Sequence, residues 1–224
     1  MSGSKVKYDD LLDFNPITDN QEKVFNAWDE GENLILTGSA GTGKTFLGMY
    51  LGLESVLERG GYYDKLIIIR SVVSVREVGY LPGKLEEKTE PFQAPYKAIS
   101  EELFSDKAAY NKLVSSHQLQ FETTSFIRGK TFDRCIIMVD EMQNLNFHEL
   151  DSVMTRLGEN CKIIFCGDYK QTDFHGNEKD RIMKFLNIME RMKYFTRVEF
   201  GWDDIVRSGI VRDYITTKEM MGIN

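Results

Sequence analysis

The chain alternates between short apolar runs and longer amphipathic segments over most of its length. Five runs have the length and aliphatic character of buried strands, and they lie at about residues 33–37, 65–70, 134–139, 161–166 and 196–200. Helical spacing of apolar residues appears between them, at about residues 18–30, 44–59, 84–104, 106–115, 146–157, 178–192 and 203–218. Strands that alternate with helices predict a mainly parallel sheet covered by helices on both faces.

The long helical region at residues 84–104 contains prolines, which disfavour a continuous helix. Pro82, Pro91 and Pro95 lie in or beside this region, and a proline inside a helix removes a backbone hydrogen bond. The region is therefore predicted to break into pieces. Elsewhere no repeat or Pro/Gly-rich linker interrupts the chain, so we expect one domain over residues 17–220, preceded by an arm or tail at residues 1–16.

Composition is typical of a globular protein, with 42% hydrophobic and 28% charged residues among 224. The apolar run at residues 135–139 is too short to cross a bilayer, and residues 1–5 lack the apolar core of a signal peptide. We therefore expect a cytoplasmic protein without a membrane partner. The three cysteines show no metal-ligand spacing and are expected to be reduced core thiols.

The net charge of −7 is unevenly distributed along the chain. Residues 1–64 contain five basic and eleven acidic residues, residues 65–150 contain eleven and twelve, and residues 151–224 contain twelve of each. Proteins that coat nucleic acid non-specifically are usually basic overall. Any contact with nucleic acid must therefore come from a local patch in the second two-thirds of the chain.

Residues 38–45 form a Gly-x-x-x-x-Gly-Lys-Thr motif between a predicted strand and a predicted helix. Such glycines let backbone N–H groups face a phosphate chain at a helix N-terminus; the alternative is a coincidental glycine-rich turn. Lys44 is expected to reach the β- and γ-phosphates of ATP, and the Thr45 hydroxyl to bind Mg²⁺. With the parallel sheet, the motif predicts a three-layer α/β P-loop NTPase core of the RecA-like type. The predicted nucleotide-binding residues here are Gly38, Ser39, Ala40, Gly41, Thr42, Gly43, Lys44, Thr45 and Phe46.

A second predicted strand brings carboxylates to the same edge of the sheet. Residues 134–139 are apolar apart from Arg134 and are followed by Asp140 and Glu141. Asp140 is expected to hold Mg²⁺ through water, and Glu141 to orient and deprotonate the attacking water. The alternative is that the two acids only cap the helix that begins near Asn146.

A third predicted strand ends in polar residues that suit a sensor of the γ-phosphate. Residues 162–166 are followed by Gly167 and Asp168, and then by Gln171. A side-chain amide at this edge can hydrogen-bond the γ-phosphate or the attacking water, and Gln143 is a candidate member of the same network. A Gly-Asp turn with a solvated glutamine is the alternative interpretation.

Gln21 has two interpretations that differ in whether they need a ligand. With Thr18 it forms a Thr-x-x-Gln capping box, which stabilises the helix start by itself. Its amide can instead hydrogen-bond an adenine edge. The physics of the sequence alone favours the cap.

Besides the phosphate loop, the chain contains further motifs at Arg70, residues 79–88, residues 126–132, residues 154–158, Asp140-Glu141-Met142-Gln143, residues 167–173 and Val206-Arg207. With these motifs the chain resembles the helicase-type ATPase core of superfamily 1, and more closely the PhoH-like ATPase family, from about residue 17 to 215. The resemblance implies a stand-alone core, without the ribonuclease or RNA-binding appendages of some members, and such short acidic cores are similar to bacteriophage-encoded members, which would act in the host cytoplasm.

The resemblance implies further roles. Related helicases contact adenine through a glutamine ahead of the phosphate loop, which makes Gln21 an ATP contact as readily as a cap. They grip single-stranded nucleic acid through segments that correspond to residues 70–80 and 124–131. For this chain RNA is favoured over DNA as the expected single strand. The candidate contacts are Arg70, Ser74, Arg76, Tyr80, Thr124, Arg128 and Lys130. Core packing and a solvated charged face remain the alternative for these segments.

A superfamily 1 helicase closes its ATP site between two cores, whereas this chain has room for one. The resemblance therefore implies a homo-oligomer, a hexameric ring, in which a neighbour supplies an arginine to the site. The candidates are Arg156 and Arg207, either of which can alternatively act in its own subunit or form a structural ion pair. The acidic balance keeps a second function class open, an ATP-gated protein-binding switch without nucleic acid. A small-molecule kinase is disfavoured because Glu141, Gln143 and Gln171 suit attack by water.

Overall fold

A computed structural model describes residues 5–71, 85–127, 129–168 and 177–223. Six strands are present in this part of the chain: β1 (Asn33–Gly38), β2 (Lys65–Arg70), β3 (Leu119–Thr123), β4 (Cys135–Asp140), β5 (Lys162–Gly167) and β6 (Phe195–Phe200). They form one sheet in the order β3-β2-β4-β5-β1-β6, and every neighbouring pair is parallel. The predicted parallel sheet is therefore confirmed.

Seven α-helices are described: α1 (Asp19–Asp29), α2 (Lys44–Leu57), α3 (Leu85–Phe104), α4 (Ala109–Ser115), α5 (Phe147–Met154), α6 (Asn177–Arg191) and α7 (Gly209–Met220). The last helix begins later than the predicted residue 203, because Trp202–Asp204 form a separate 3-10 turn. None of the described helices is both long and apolar enough to span a membrane.

Alternate residues of the central strands face two separate cores, as the two-residue period of a strand requires. Leu34 and Leu36 of β1 pack with side chains of α1 to α4 in the first core. Ile35 faces the opposite side, with side chains of α5 and α6 in the second core. The domain therefore has three layers, with the sheet in the middle, and the carboxyl ends of its strands meet along one edge.

The sequence analysis does not predict strand β3, because its five residues mix apolar and polar side chains. It pairs with β2 from Leu66↔Leu119 to Arg70↔Thr123 and has no second neighbour in the sheet of the described residues. An edge strand tolerates Gln120 and Glu122 because water reaches part of its surface. The apolar run that marks a strand buried on both faces is therefore missing.

The predicted break at the prolines is wrong, since α3 is continuous and contains both Pro91 and Pro95. Both prolines are exposed, whereas Tyr96, Ser100 and Leu103 are buried on the other side of the helix. Carbonyl groups that lose a partner at the prolines can turn to water. Packing of the buried side holds the helix together where propensity alone disfavours it.

Residues 5–16 lie against the body of the domain. The Leu12 N–H donates to the Leu103 carbonyl at 2.7 Å, and the Gln118 side chain donates to the Val6 carbonyl at 3.0 Å. The Phe14 ring packs beside the Phe46 ring, with centroids 5.2 Å apart. This segment therefore packs beside the first turn of α2.

Candidate active site

The loop between β1 and α2 has the backbone shape that its glycines permit. Gly38 and Gly43 have φ angles of +119° and +83°, which residues with a Cβ atom rarely adopt. A Cβ atom at Gly38 would also lie 2.0 Å from the Phe200 carbonyl oxygen on the neighbouring strand. The loop borders a cavity of about 540 Å³, a volume typical of sites for small ligands.

The Lys44 ammonium group lies within the curve of this loop. It donates to the Gly38 and Ser39 carbonyls at 2.8 and 2.7 Å, and to the Thr42 hydroxyl at 3.3 Å. Burial lowers the pKa of Lys44, and the charge of Asp168 is the largest influence that opposes this shift. The lysine is thus positioned by loop carbonyls at the cavity wall.

Thr45 and Asp140 meet at the cavity as the phosphate-loop motif and the second strand predict. The Thr45 hydroxyl donates to Asp140 Oδ1 at 3.0 Å, although the two residues are 95 positions apart. A hydroxyl and a carboxylate are the hard oxygen donors that suit Mg²⁺, which takes its remaining ligands from water and phosphate. The residues present therefore fit a magnesium ion shared with a bound nucleotide.

The second oxygen of Asp140 is bound by a residue that the sequence analysis did not select. Tyr96 of α3 is fully buried and donates its hydroxyl to Asp140 Oδ2 at 2.8 Å. Burial raises the pKa of Asp140, and the Glu141 charge adds to this; hydrogen bonds from Tyr96 and Thr45 and the charge of Arg70 oppose it. Asp140 is thus fixed by partners on both oxygens.

Glu141 follows in a left-handed conformation, with φ of +52°. Its Oε2 accepts a hydrogen bond from the Gln143 side-chain amide, and Gln143 Oε1 accepts from the Asp168 N–H at 3.0 Å. A Cβ at Gly167 would approach Gln143 Oε1 to 2.4 Å, so glycine is needed for this contact. Gln143 therefore links the ends of β4 and β5, and Gln171 lies outside the described residues.

Gln21 lies in the first turn of α1, which Thr18 caps, and also lines the cavity. Its backbone N–H donates to the Thr18 hydroxyl at 3.3 Å, as predicted. Its Oε1 accepts from the Ile17 N–H at 2.9 Å, one residue earlier than the capping box requires. The amide is thus oriented at the cavity wall next to Phe14 and Ile17, so the cap and a nucleotide contact are compatible.

The two candidate arginines occupy different places. Arg207 lines the cavity of its own subunit, and its Cγ lies 3.0 Å from the Cβ position that Gly41 would have. Val206 fixes this approach by donating its N–H to the Gly41 carbonyl at 3.1 Å. Arg156 comes shortly after α5. Its carbonyl accepts a hydrogen bond from the N–H of Phe132, which lies just before the amino end of β4. It is not among the described residues that line the cavity.

A family model described as PhoH-like protein matches residues 13–219, which is nearly the whole chain. The chain belongs to the PhoH-like family. The protein named Protein PhoH2 of Bacillus subtilis is 40% identical over 144 residues, which are 62% of this chain and 32% of that protein. A PhoH-like protein of Mycobacterium leprae is 30% identical over 202 residues, which are 89% of this chain and 57% of that one. The matched region thus spans 32% to 57% of the length of these two relatives.

The PhoH-like chain is also similar in structure to the large terminase of a thermophilic bacteriophage. The TM-score is 0.51 at 13% identity, and the match covers 92% of this chain and 50% of the terminase. At this identity the likeness concerns the fold alone. Together with the phosphate loop, it identifies the domain as a P-loop NTPase core.

The candidate nucleic-acid contacts of this PhoH-like domain are only partly described. Arg70 ends β2 directly beside Asp140, with its guanidinium 5.9 Å from the centre of the Phe92 ring. The Thr124 hydroxyl donates to Glu149 at 2.5 Å, and Lys130 pairs with Glu122 at 2.6 Å. The Thr124 and Lys130 side chains are therefore engaged within the domain. Four further candidates lie outside the described residues, namely Ser74, Arg76, Tyr80 and Arg128.

Three residues at the site were missed by sequence analysis. Tyr96 donates a hydrogen bond to Asp140, and Glu219 accepts hydrogen bonds from Ser39 of the phosphate loop and from Trp202. No motif surrounds any of the three in the sequence. Their roles follow only from contacts between distant segments.

Proposed function

We propose that the protein is a Mg²⁺-dependent ATPase whose hydrolysis uses water as the acceptor of the γ-phosphoryl group. The observation that carries this proposal is the pairing of Thr45 with Asp140 beside the bridge from Glu141 through Gln143 to Asp168. ATP hydrolysis requires oxygen ligands for the metal ion and, close to them, a separate carboxylate that can act on the attacking water. Membership of the PhoH-like family supports the same conclusion.

Each residue has a distinct role in the proposed reaction. Lys44 neutralises phosphate charge, and Thr45 and Asp140 would hold a magnesium ion, which would withdraw negative charge from the phosphates when bound. Glu141 accepts a proton from the attacking water. Gln143 keeps the Glu141 carboxylate in place, and Gln171 serves as the sensor of hydrolysis. Gln21 contacts the adenine edge.

Glu141→Gln tests the base assignment. The variant is expected to bind a fluorescent ATP analogue with unchanged affinity and to hydrolyse ATP about 10²- to 10⁴-fold more slowly, the usual contribution of a general base. Glu101→Gln, an exposed change on α3, is the matched control and should retain full turnover. Near-normal turnover in Glu141→Gln would contradict the assignment.

We further propose that hydrolysis drives movement or remodelling of single-stranded nucleic acid, RNA more than DNA. The family resemblance and the position of Arg70 at the end of β2, beside Asp140, support this. Stimulation of ATP turnover by a single-stranded RNA, stronger than by DNA and falling steeply between about 50 and 200 mM salt, is the expected result. Absence of stimulation by either polymer would refute it.

The proposed assembly is a ring, hexameric by resemblance to the family. Since Arg207 lines its own cavity, Arg156 is the better candidate for an arginine supplied by a neighbour. Mixing Lys44→Ala subunits with Arg156→Ala subunits should then restore part of the ATPase activity. A solution mass that stays monomeric with and without ATP would rule out the ring.

A second candidate function is an ATP-gated switch that binds a protein partner. Helix α7 and the residue after it favour this function, because Ile210, Tyr214 and Met221 are 80%, 68% and 68% exposed on a segment that contacts the phosphate loop. Exposed apolar clusters of this kind mark interaction surfaces. Partner binding that depends on ATP, without stimulation by nucleic acid, would select this function over the first.

A further inference from the structure

Helix α7 is hydrogen-bonded to the phosphate loop through one acidic side chain, Glu219. Glu219 Oε2 accepts hydrogen bonds from the Ser39 hydroxyl at 2.9 Å and from the Trp202 indole N–H at 2.7 Å. The other oxygen, Oε1, is shielded from water and has no hydrogen-bond partner among the described atoms. A carboxylate that is satisfied on one oxygen only is held less firmly than one with partners on both.

The rest of α7 adds little to this attachment. No residue of Gly209–Met220 is buried, and the Ile215 side chain reaches the loop at Gly41, where it lies 3.4 Å from the position of a Cβ. A helix with few buried apolar contacts separates from the domain at a small cost in free energy. The Glu219 contact is therefore able to open without unfolding the core.

The phosphate loop and Glu219 have conflicting electrostatic demands. Glycine-rich loops of this kind hold phosphate groups by backbone N–H groups, so negative charge accumulates in the curve of the loop when a nucleotide binds. The Glu219 carboxylate is within hydrogen-bond distance of the same loop and has the same sign of charge. Like charges repel, and they do so more strongly in a partly desolvated site than in water.

We propose that Glu219 is a positioning residue of the phosphate loop, that a nucleoside triphosphate displaces it from Ser39 and Trp202, and that this displacement lowers the affinity of the loop for nucleotide. The inference rests on the proposed nucleotide binding and adds the residue that regulates it. It also makes the attachment of α7 depend on what the loop holds.

Trp202 provides a direct measurement of the displacement in the wild-type protein. The chain has two tryptophans, and Trp28 is buried with its indole bound to Ser55. Titration with a non-hydrolysable ATP analogue should change the tryptophan emission, and Trp202→Phe should abolish the change. Calorimetric binding of the analogue without a change in Trp202 emission would overturn the proposal.

Glu219→Gln removes the charge and retains an oxygen that accepts from Ser39 and Trp202. Its affinity for the ATP analogue is expected to rise about tenfold, within the usual range for coupled sites, and to rise less for ADP. Asp213→Asn removes one charge from the exposed surface of the same helix and is the matched control, expected within about twofold of wild type. An unchanged or weaker affinity in Glu219→Gln would overturn the proposal.

The proposed ATPase function and the proposed role of Glu219 can be refuted separately. If the wild-type protein binds no nucleotide, the proposed function and this inference both fall. If the wild type binds nucleotide and Glu219→Gln binds it equally well, the ATPase proposal stands and only the role of Glu219 is refuted.

Discussion

Asp140 and Glu219 each accept a hydrogen bond from a side chain of the phosphate loop, and the domain holds the two acids in opposite ways. Asp140 ends a strand whose six residues are all buried, and Thr45 and Tyr96 each bind one of its oxygens. Glu219 is on a helix without buried residues, and only one of its oxygens has partners among the described atoms. A ligand for a metal ion benefits from a fixed position, whereas a group that yields to a nucleotide needs a weak attachment.

The difference originates in the sheet. Strand β4 lies between β2 and β5 and is covered by helices on both faces, so any movement of Asp140 would disturb both cores. Helix α7 follows the edge strand β6 and contacts the loop from outside the two cores. The phosphate loop thus has a rigid contact with a strand at the centre of the fold and a weaker contact with a helix at the surface.

The largest expected contrast is in catalysis. Asp140→Asn should lower ATP turnover about a thousandfold, which corresponds to about 4 kcal/mol in the activation barrier. The reason is that it removes the negative charge of the proposed magnesium ligand. Glu219→Gln should change turnover at saturating ATP by less than about tenfold. Turnover measured against Mg²⁺ concentration checks both, and equal losses would contradict the distinction between the two acids.

The second contrast is in the stability of the two regions. Ile137→Ala in β4 removes a fully buried side chain and should cost about 2–5 kcal/mol in the free energy of unfolding. Ile210→Ala in α7, where the side chain is 80% exposed, should stay within about 0.5 kcal/mol. Urea unfolding followed by circular dichroism measures both variants. A similar loss in the two would show that α7 belongs to the cooperative core.

The smallest contrast concerns the hydrogen bonds to the two acids. Tyr96→Phe leaves a buried Asp140 oxygen without its donor and should destabilise the domain by about 1–3 kcal/mol. Trp202→Phe should cost less than about 1 kcal/mol, since Trp202 is 38% exposed and its hydrogen bond is therefore only partly desolvated. Thermal unfolding of both variants in Mg²⁺-free buffer makes the comparison, and a reversed order would refute it.

Local chemistry explains which parts of the site were predictable. The glycines and Lys44 of the phosphate loop act within eight consecutive residues, and Asp140 and Glu141 follow an apolar strand that is evident by itself. The prediction that Gln143 joins the network is supported by its hydrogen bond to Glu141, because its place relative to Glu141 depends on a single turn. Strand β3 and the uninterrupted α3 were not predictable, because their sheet position and packing override weak or contrary local preferences.

By itself the sequence determined the order of most strands and helices, the phosphate loop and the acids at the strand ends. Periodicity and glycine spacing carry that information within one or two elements. Only the tertiary structure decided which side chains hold these groups, since Tyr96 meets Asp140 across 44 positions and Glu219 meets Ser39 across 180. Hydrogen bonds of that span leave no local pattern, because they depend on how the sheet brings its strand ends to one edge and where α7 comes to lie.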